Sequence, residues 1–213
     1  MLAFDIETMG LDRKKDPITV ISLYDPDVEI SEVLRFVELR DGKVVYKENY
    51  IDIVNNLIQK LDDAEYLCAF NGTNFDLPYI QAQFEIPIDK VQKWVMKTHD
   101  ILETCRRGFN RTFNLNMCLE LNNVGSGKTG SGMEAVQQAQ RGDWASLERY
   151  CLDDSILTHR VSSLETILCC ESWLWRKNHN GATHDPARVL QINTKNFPVL
   201  AFSYGPVSPP PVS

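Results

Sequence analysis

The run Phe4-Asp5-Ile6-Glu7, preceded by Leu2, alternates apolar and acidic side chains with a period of two. That period is a β-strand's, and it sets Leu2, Phe4 and Ile6 on one side and Asp5 with Glu7 on the other. Two carboxylates a few ångströms apart repel unless solvent screens them or a cation or protons lie between. An isolated D-x-E pair reads as a solvated strand face; a pair joined by further acids reads as a cation site. The rest of the chain separates these two cases.

Three more strand-like runs follow, at residues 17–25, 33–39 and 43–48, the last two separated by the turn-forming Arg40-Asp41-Gly42. Ile53, Leu57, Ile58 and Leu61 then recur at helical spacing. Residues 65–70, Glu-Tyr-Leu-Cys-Ala-Phe, read as a short buried strand, and residues 75–84 as a helix with Pro78 in its first turn. A less regular stretch surrounds residues 98–104. Residues 113–123 and 133–140 read as helices joined by the loop Val-Gly-Ser-Gly-Lys-Thr-Gly-Ser-Gly, and a long helix begins at the N-cap residue Asp143. Strands first and strand–helix alternation later predict an α/β fold, a mixed central sheet flanked by helices. Within the 213 residues, one domain is expected over 1–170, with a C-terminal extension over 171–213 that closes in a proline-rich tail.

Two further acidic positions stand out. After the strand at 65–70 the chain turns through Asn71-Gly72-Thr73-Asn74 and starts a helix at Phe75-Asp76. Asp76 thus sits where a sheet strand ends, the usual place for ligand chemistry in open α/β folds, although it also reads as a simple helix cap. Asn71 and Phe75 supply an amide and an aromatic face, suited to a sugar edge and a base, or equally to a turn and a core. In the long helix, Trp144, Leu147, Cys151, Leu157, Thr158 and Val161 form an apolar stripe. Asp154 falls near the centre of that stripe with Tyr150 one turn before it, while Asp153 lies about 100° away on the flank. A carboxylate facing a core costs several kcal/mol unless paired, protonated or metal-bound, so Asp154 is the functional candidate of the two.

In this order, FDIET, NGTNFDLPYI and YCLDD resemble the three motifs of the DEDD superfamily of 3′→5′ exonucleases, and most closely the proofreading domains of family B DNA polymerases. Asp5 and Glu7 match the first motif, Asn71, Phe75 and Asp76 the second, and Tyr150 with Asp154 the third, in its tyrosine subclass. The resemblance implies a ribonuclease H-like fold and a catalytic set of Asp5, Glu7, Asp76, Tyr150 and Asp154. It implies two divalent ions, Mg²⁺ or Mn²⁺, held by the four carboxylates, since hard cations prefer carboxylate oxygen. Thr8, Met9 and Leu11, by the same resemblance, lie against the terminal nucleotide.

The expected substrate is the 3′ end of a single-stranded nucleic acid, with DNA favoured over RNA by the polymerase-like wording and a polymerase or other replication, repair or RNA-processing protein as partner. A module that keeps the fold and binds nucleic acid without cutting it is the alternative, against which stands the presence of every acid and the tyrosine. With no polymerase motifs in the chain, it reads as a stand-alone or separately encoded exonuclease. The net charge of −7 argues against a generic nucleic-acid coat and leaves room for an enzyme whose acids hold metal. Six scattered cysteines without a C-x-x-C pair point away from zinc and disulfides and toward a reducing, intracellular setting, and no run is long and apolar enough for a membrane. The loop Gly-Ser-Gly-Lys-Thr fails as a P-loop because position 122 is Asn122; Lys128 reads instead as a phosphate contact. Residues 90–111 carry six Lys/Arg against two acids, a patch that could guide a phosphate chain or simply be solvated.

Overall fold

The computed structural model describes residues 1–109, 114–125, 130–170 and 189–193. Five strands form the central sheet: β1 (Leu2–Thr8), β2 (Ile18–Asp25), β3 (Ile30–Arg35), β6 (Leu67–Ala69) and β7 (Thr98–Asp100). Their spatial order is β3-β2-β1-β6-β7, antiparallel among the first three and parallel from β1 through β6 to β7. A separate two-stranded ribbon joins β4 (Val37–Arg40) to β5 (Lys43–Tyr46). The helices are α1 (Tyr50–Asp63), α2 (Asp76–Phe84), α3 (Ile88–Met96), α4 (Ile101–Phe109), α5 (Leu115–Leu121), α6 (Gly132–Arg141) and α7 (Trp144–Ser162). A final ribbon pairs β8 (Thr166–Cys170) with β9 (Val189–Asn193).

Strand register sorts the two faces of the sheet. Phe4 lies opposite Leu23 and Ile6 opposite Ile21, and these four pack in one core with Leu57 and Leu61 of α1 and Leu77 and Ile80 of α2. On the other face Asp5 lies opposite Ser22 and Glu7 opposite Val20. The alternation of β1 suggests a solvated polar side; α7 instead lies across β1 and β2 and covers it. Small residues permit that close approach: the Ser22 hydroxyl donates to the Cys151 carbonyl at 2.7 Å and meets the Ser155 hydroxyl at 2.6 Å. The acids of β1 are thus enclosed between sheet and helix.

Three expected elements differ. The run 33–39 is two strands, because Phe36 turns its fully buried ring into the core, 5.0 Å from the Phe84 ring, and its carbonyl starts the β4–β5 ribbon by accepting from Lys47 N at 2.9 Å. Helix α3 was not legible in the pattern, since only Val91 and Trp94 face inward. The β8–β9 ribbon has one strand on each side of residue 170. Lys128, Trp173, Trp175 and the proline-rich tail lie outside the described residues.

Candidate active site

Asp5, Glu7 and Asp154 converge where α7 crosses β1. One carboxylate oxygen from each lies within 4.8 Å of those of the other two. Glu7 and Asp154 are buried, Asp154 to 1% exposure. The helix-phase argument therefore holds: Leu147, Tyr150, Cys151, Asp154 and Thr158 are buried along one face of α7, whereas Asp153 is half-buried on the flank. Asp143 caps the helix by accepting from Ser146 N at 3.3 Å, which fixes the start of that phase. A register shift between Glu7 and Thr8 marks a β-bulge at the end of β1, a device that re-aims side chains beside sites.

Asp76 reaches the same place from the other flank. Strand β6 pairs with β1 only at Leu2 and Ala3, so the Ile6 N–H has no β6 acceptor. Asp76, at the start of α2, supplies one: the Ile6 N–H donates to its Oδ1 at 3.2 Å. Burial, then the charges of Asp5 and Asp100, push the Asp76 carboxyl well above its usual range. It is thus near enough to feel Asp5, outside the tight trio, and opposed in its ionisation until positive charge arrives.

Asp100 lies at the end of β7, in the stretch that showed no regular pattern in the sequence. It organises the loop that delivers Asp76. Its carboxylate accepts from Asn71 N at 3.0 Å, Thr73 N at 2.9 Å, the Thr73 hydroxyl at 2.6 Å and Glu103 N at 3.2 Å. Asn71 takes a left-handed conformation, φ 72°, which Asn tolerates better than most residues. Gly72 is required there because a Cβ would collide with that of Ala69 and approach the Phe4 ring at 3.2 Å.

Cys151 was read as part of the apolar stripe, yet its thiol borders the acids. Its sulfur lies 3.7 Å from Asp5 Oδ2, 3.4 Å from the Asp5 carbonyl and 3.3 Å from the Ser22 hydroxyl. Burial and then the charges of Asp5 and Glu7 push this thiol well up, so it stays protonated and donates toward Asp5.

The loop after β1 is pinned to α2. The Tyr79 hydroxyl donates to the Asp16 carbonyl at 2.8 Å, Gln83 Nε2 to the Arg13 carbonyl, and Arg13 Nη2 to the Asn74 carbonyl at 2.7 Å. The Thr8 hydroxyl donates to the Gly10 carbonyl at 2.6 Å. Met9 is partly buried against the cluster that contains Val20, Ala135, Leu147 and Tyr150, while Leu11 is 82% exposed. Phe75 is partly buried, its ring 5.4 Å from that of Tyr79, and Asn71 Oδ1 is buried with no hydrogen-bond partner among the described residues.

Three of the six cations at 90–111 are spent on structure. Lys90 pairs with Asp62 at 2.5 Å, Lys97 Nζ donates to the carbonyls of Asp62 and Ala64, and Arg106 pairs with Glu103 at 2.6 Å. Cys68, Cys105, Cys118 and Cys151 are buried and in no disulfide among the described residues, and none of the described helices is long and apolar enough to cross a membrane.

The donor set suits a hard divalent cation. An ion with metal–oxygen distances of about 2.1–2.5 Å holds its ligand oxygens about 3–5 Å from one another, and those of the trio lie within 4.8 Å. Fold and site thus define an α/β protein with a carboxylate cluster able to hold a metal ion, placed between its sheet and its longest described helix. Residues 2–164 match the family model of the RNase H superfamily, and the chain belongs to that superfamily. Over 89 residues it is 27% identical to a DNA polymerase of Methanocaldococcus jannaschii, a match covering 40% of this chain and 5% of that protein. It superposes on the family B DNA polymerase of Pyrobaculum calidifontis with a TM-score of 0.54 at 18% identity, over 76% of this chain and 24% of the polymerase. A structure described as the apo form of a nuclease gives a TM-score of 0.46 at 21% identity, over 75% and 68% of the two chains. The chain thus matches less than a quarter of the length of either polymerase. Superfamily membership and the carboxylate trio support a nuclease-type function.

Proposed function

We propose that the chain is a metal-dependent 3′→5′ exonuclease acting on single-stranded DNA, with Asp5, Glu7, Asp76, Tyr150 and Asp154 as its catalytic set. The observation that carries this reading is the convergence of Asp5, Glu7 and Asp154 within 4.8 Å in a chain of the RNase H superfamily. Asp5, Glu7 and Asp154 would hold one Mg²⁺ or Mn²⁺ and Asp76 would support a second, and such ions supply a nucleophilic water and charge neutralisation for phosphate. In the reaction, a water oxygen bonds to phosphorus, the bond from phosphorus to the 3′ oxygen breaks, and that oxygen takes up a proton. The products are a nucleoside 5′-monophosphate and a strand ending in a new 3′ hydroxyl.

The protein's own groups do the positioning. Tyr150, 8% exposed and one turn before Asp154, orients the attacking water through its phenol, whose ordinary pKa near 10 makes it a poor base at neutral pH. Thr8 at the end of β1, Met9 and Leu11 on the pinned loop, and Asn71 and Phe75 before α2 bear on the terminal sugar and base. The polymerase likeness makes a replication or repair protein the favoured partner class, and residues 171–213 its candidate contact.

A timed digestion of 5′-labelled single-stranded DNA beside RNA tests the reading, run with Mg²⁺, Mn²⁺ or chelator and beside Asp5→Ala. A ladder that shortens from the 3′ end, needs metal and disappears in the variant supports it. Internal cuts, metal-independent cleavage or an active Asp5→Ala protein overturns it. A folded protein that binds both strands and cuts neither is a binding module instead.

A further inference from the structure

Tyr150 has a second neighbourhood. Beside α7 and α6 lies a cavity of about 320 Å³ whose wall includes Tyr150, Arg149, Arg141, Gln138 and Ser131. The volume is at the small end of ligand sites and near that of one nucleotide. Its lining is largely polar, with Tyr150 the only aromatic ring, so it suits a sugar-phosphate unit better than a stacked base.

Charge strengthens that assignment. Arg35, Arg40 and Arg106 are all committed to carboxylates, at 3.5, 2.5 and 2.6 Å. Arg141 and Arg149 form no ion pair among the described residues, and both are exposed on the cavity wall. The one acid on that wall, Glu134, sits against the Ser131 hydroxyl at 3.2 Å. The larger cavity, about 600 Å³, is walled by Asp25, Asp27, Asp63 and Glu65 and would repel phosphate.

We infer that the α6–α7 cavity binds a backbone phosphate of the substrate strand on the 5′ side of the scissile bond, with Arg149 and Arg141 as its contacts. The side follows from chemistry: a terminal nucleotide with a free 3′ hydroxyl carries only the scissile phosphate, so any second phosphate belongs to the retained strand. The inference rests on the exonuclease reading. Gly130 and Ser131 form part of the rim, and Gly130 lies against Tyr150, where a Cβ would come 3.1 Å from the ring.

Two substrates separate this site from the reacting centre. Thymidine 5′-monophosphate p-nitrophenyl ester keeps the scissile phosphate and the terminal nucleoside and lacks every upstream phosphate; a 5′-labelled oligothymidylate has them all. In Arg149→Ala the ratio of kcat/KM for oligonucleotide to that for ester should fall about tenfold, as loss of a charge-assisted contact predicts, and Arg149→Lys should recover most of it. Anisotropy of the labelled strand in chelator should weaken about tenfold, with a salt slope smaller by about one. A ratio unchanged in Arg149→Ala, or an equal fall on both substrates, overturns the site. A wild type that turns over neither substrate yet binds the strand through Arg149 overturns the exonuclease reading and keeps the phosphate site. Inactive protein whose strand binding ignores Arg149 overturns both.

Discussion

Asp153 and Asp154 are adjacent in sequence and differ in environment, since the 100° rotation per residue moves a carboxylate from the flank of α7 to the space above Asp5 and Glu7. Removing charge from Asp154 takes a ligand from the trio, whereas Asp153 contributes none. Asp154→Asn should lower cleavage by more than the 10–100-fold that changes behind a metal ligand cost, while Asp153→Asn stays within about threefold. Single-turnover rates on the labelled strand measure both; a reversed order would mean that the helix is phased differently. The trio was legible because Asp5 and Glu7 share the polar side of a period-two strand, while Asp154 interrupts an apolar stripe of period 3.6 in α7. Cys151 was not, because a thiol satisfies an apolar stripe and its contact with Asp5 shows only once helix and strand are docked. Thr8, Met9 and Leu11 were assigned from the wording of the motif alone, and their placement depends on Tyr79 and Gln83 far along the chain.

The loop between β6 and α2 takes its form from β7, not from its own residues. Asp100 accepts four hydrogen bonds, three of them from Asn71 and Thr73, and so fixes the turn from which Asp76 emerges. Asp100→Ala strands several buried N–H groups, at about 1–3 kcal/mol each, and should destabilise the protein by about 3 kcal/mol in urea unfolding. Activity should fall with it, and Asp100→Asn should restore stability more than activity, because an amide oxygen accepts only part of the network. The neighbouring His99 gives this strand a pH signature. Burial lowers its pKa from the usual 6.5 to about 4, so between those values the unfolded chain binds a proton that the folded one refuses. Stability is therefore full above pH 6.5 and falls as the pH drops toward 4, by up to about 3 kcal/mol. Thermal midpoints across that range should show this slope, and His99→Gln should flatten it. Sequence pattern missed these controls for a physical reason: β6 and β7 are three residues each, too short for a period, and backbone donors leave no trace in side-chain spacing.

Folding as a whole gathers Asp5, Glu7, Asp76 and Asp154 from three distant parts of the chain onto one end of a five-stranded sheet. Like charges brought together oppose the fold that unites them, and the raised carboxyl of Asp76 is one expression of that cost. A cation bound only by the folded state reverses the sign, adding about 2.7 kcal/mol when its concentration is a hundred times its Kd. Mg²⁺ or Mn²⁺ should therefore raise the thermal midpoint saturably, and chelator should return it to the starting value. The gain should grow with pH, because Asp76 has to release its proton before it can take part. Asp5→Asn removes the charge closest to all the others, so it should abolish the metal-dependent rise while leaving the chelated protein as stable as wild type or more so. That pairing, a variant more stable without metal and indifferent to it, is what a charge-strained site produces. If Asp5→Asn instead lowers the chelated midpoint and still responds fully to metal, Asp5 serves the fold and the cation lies elsewhere.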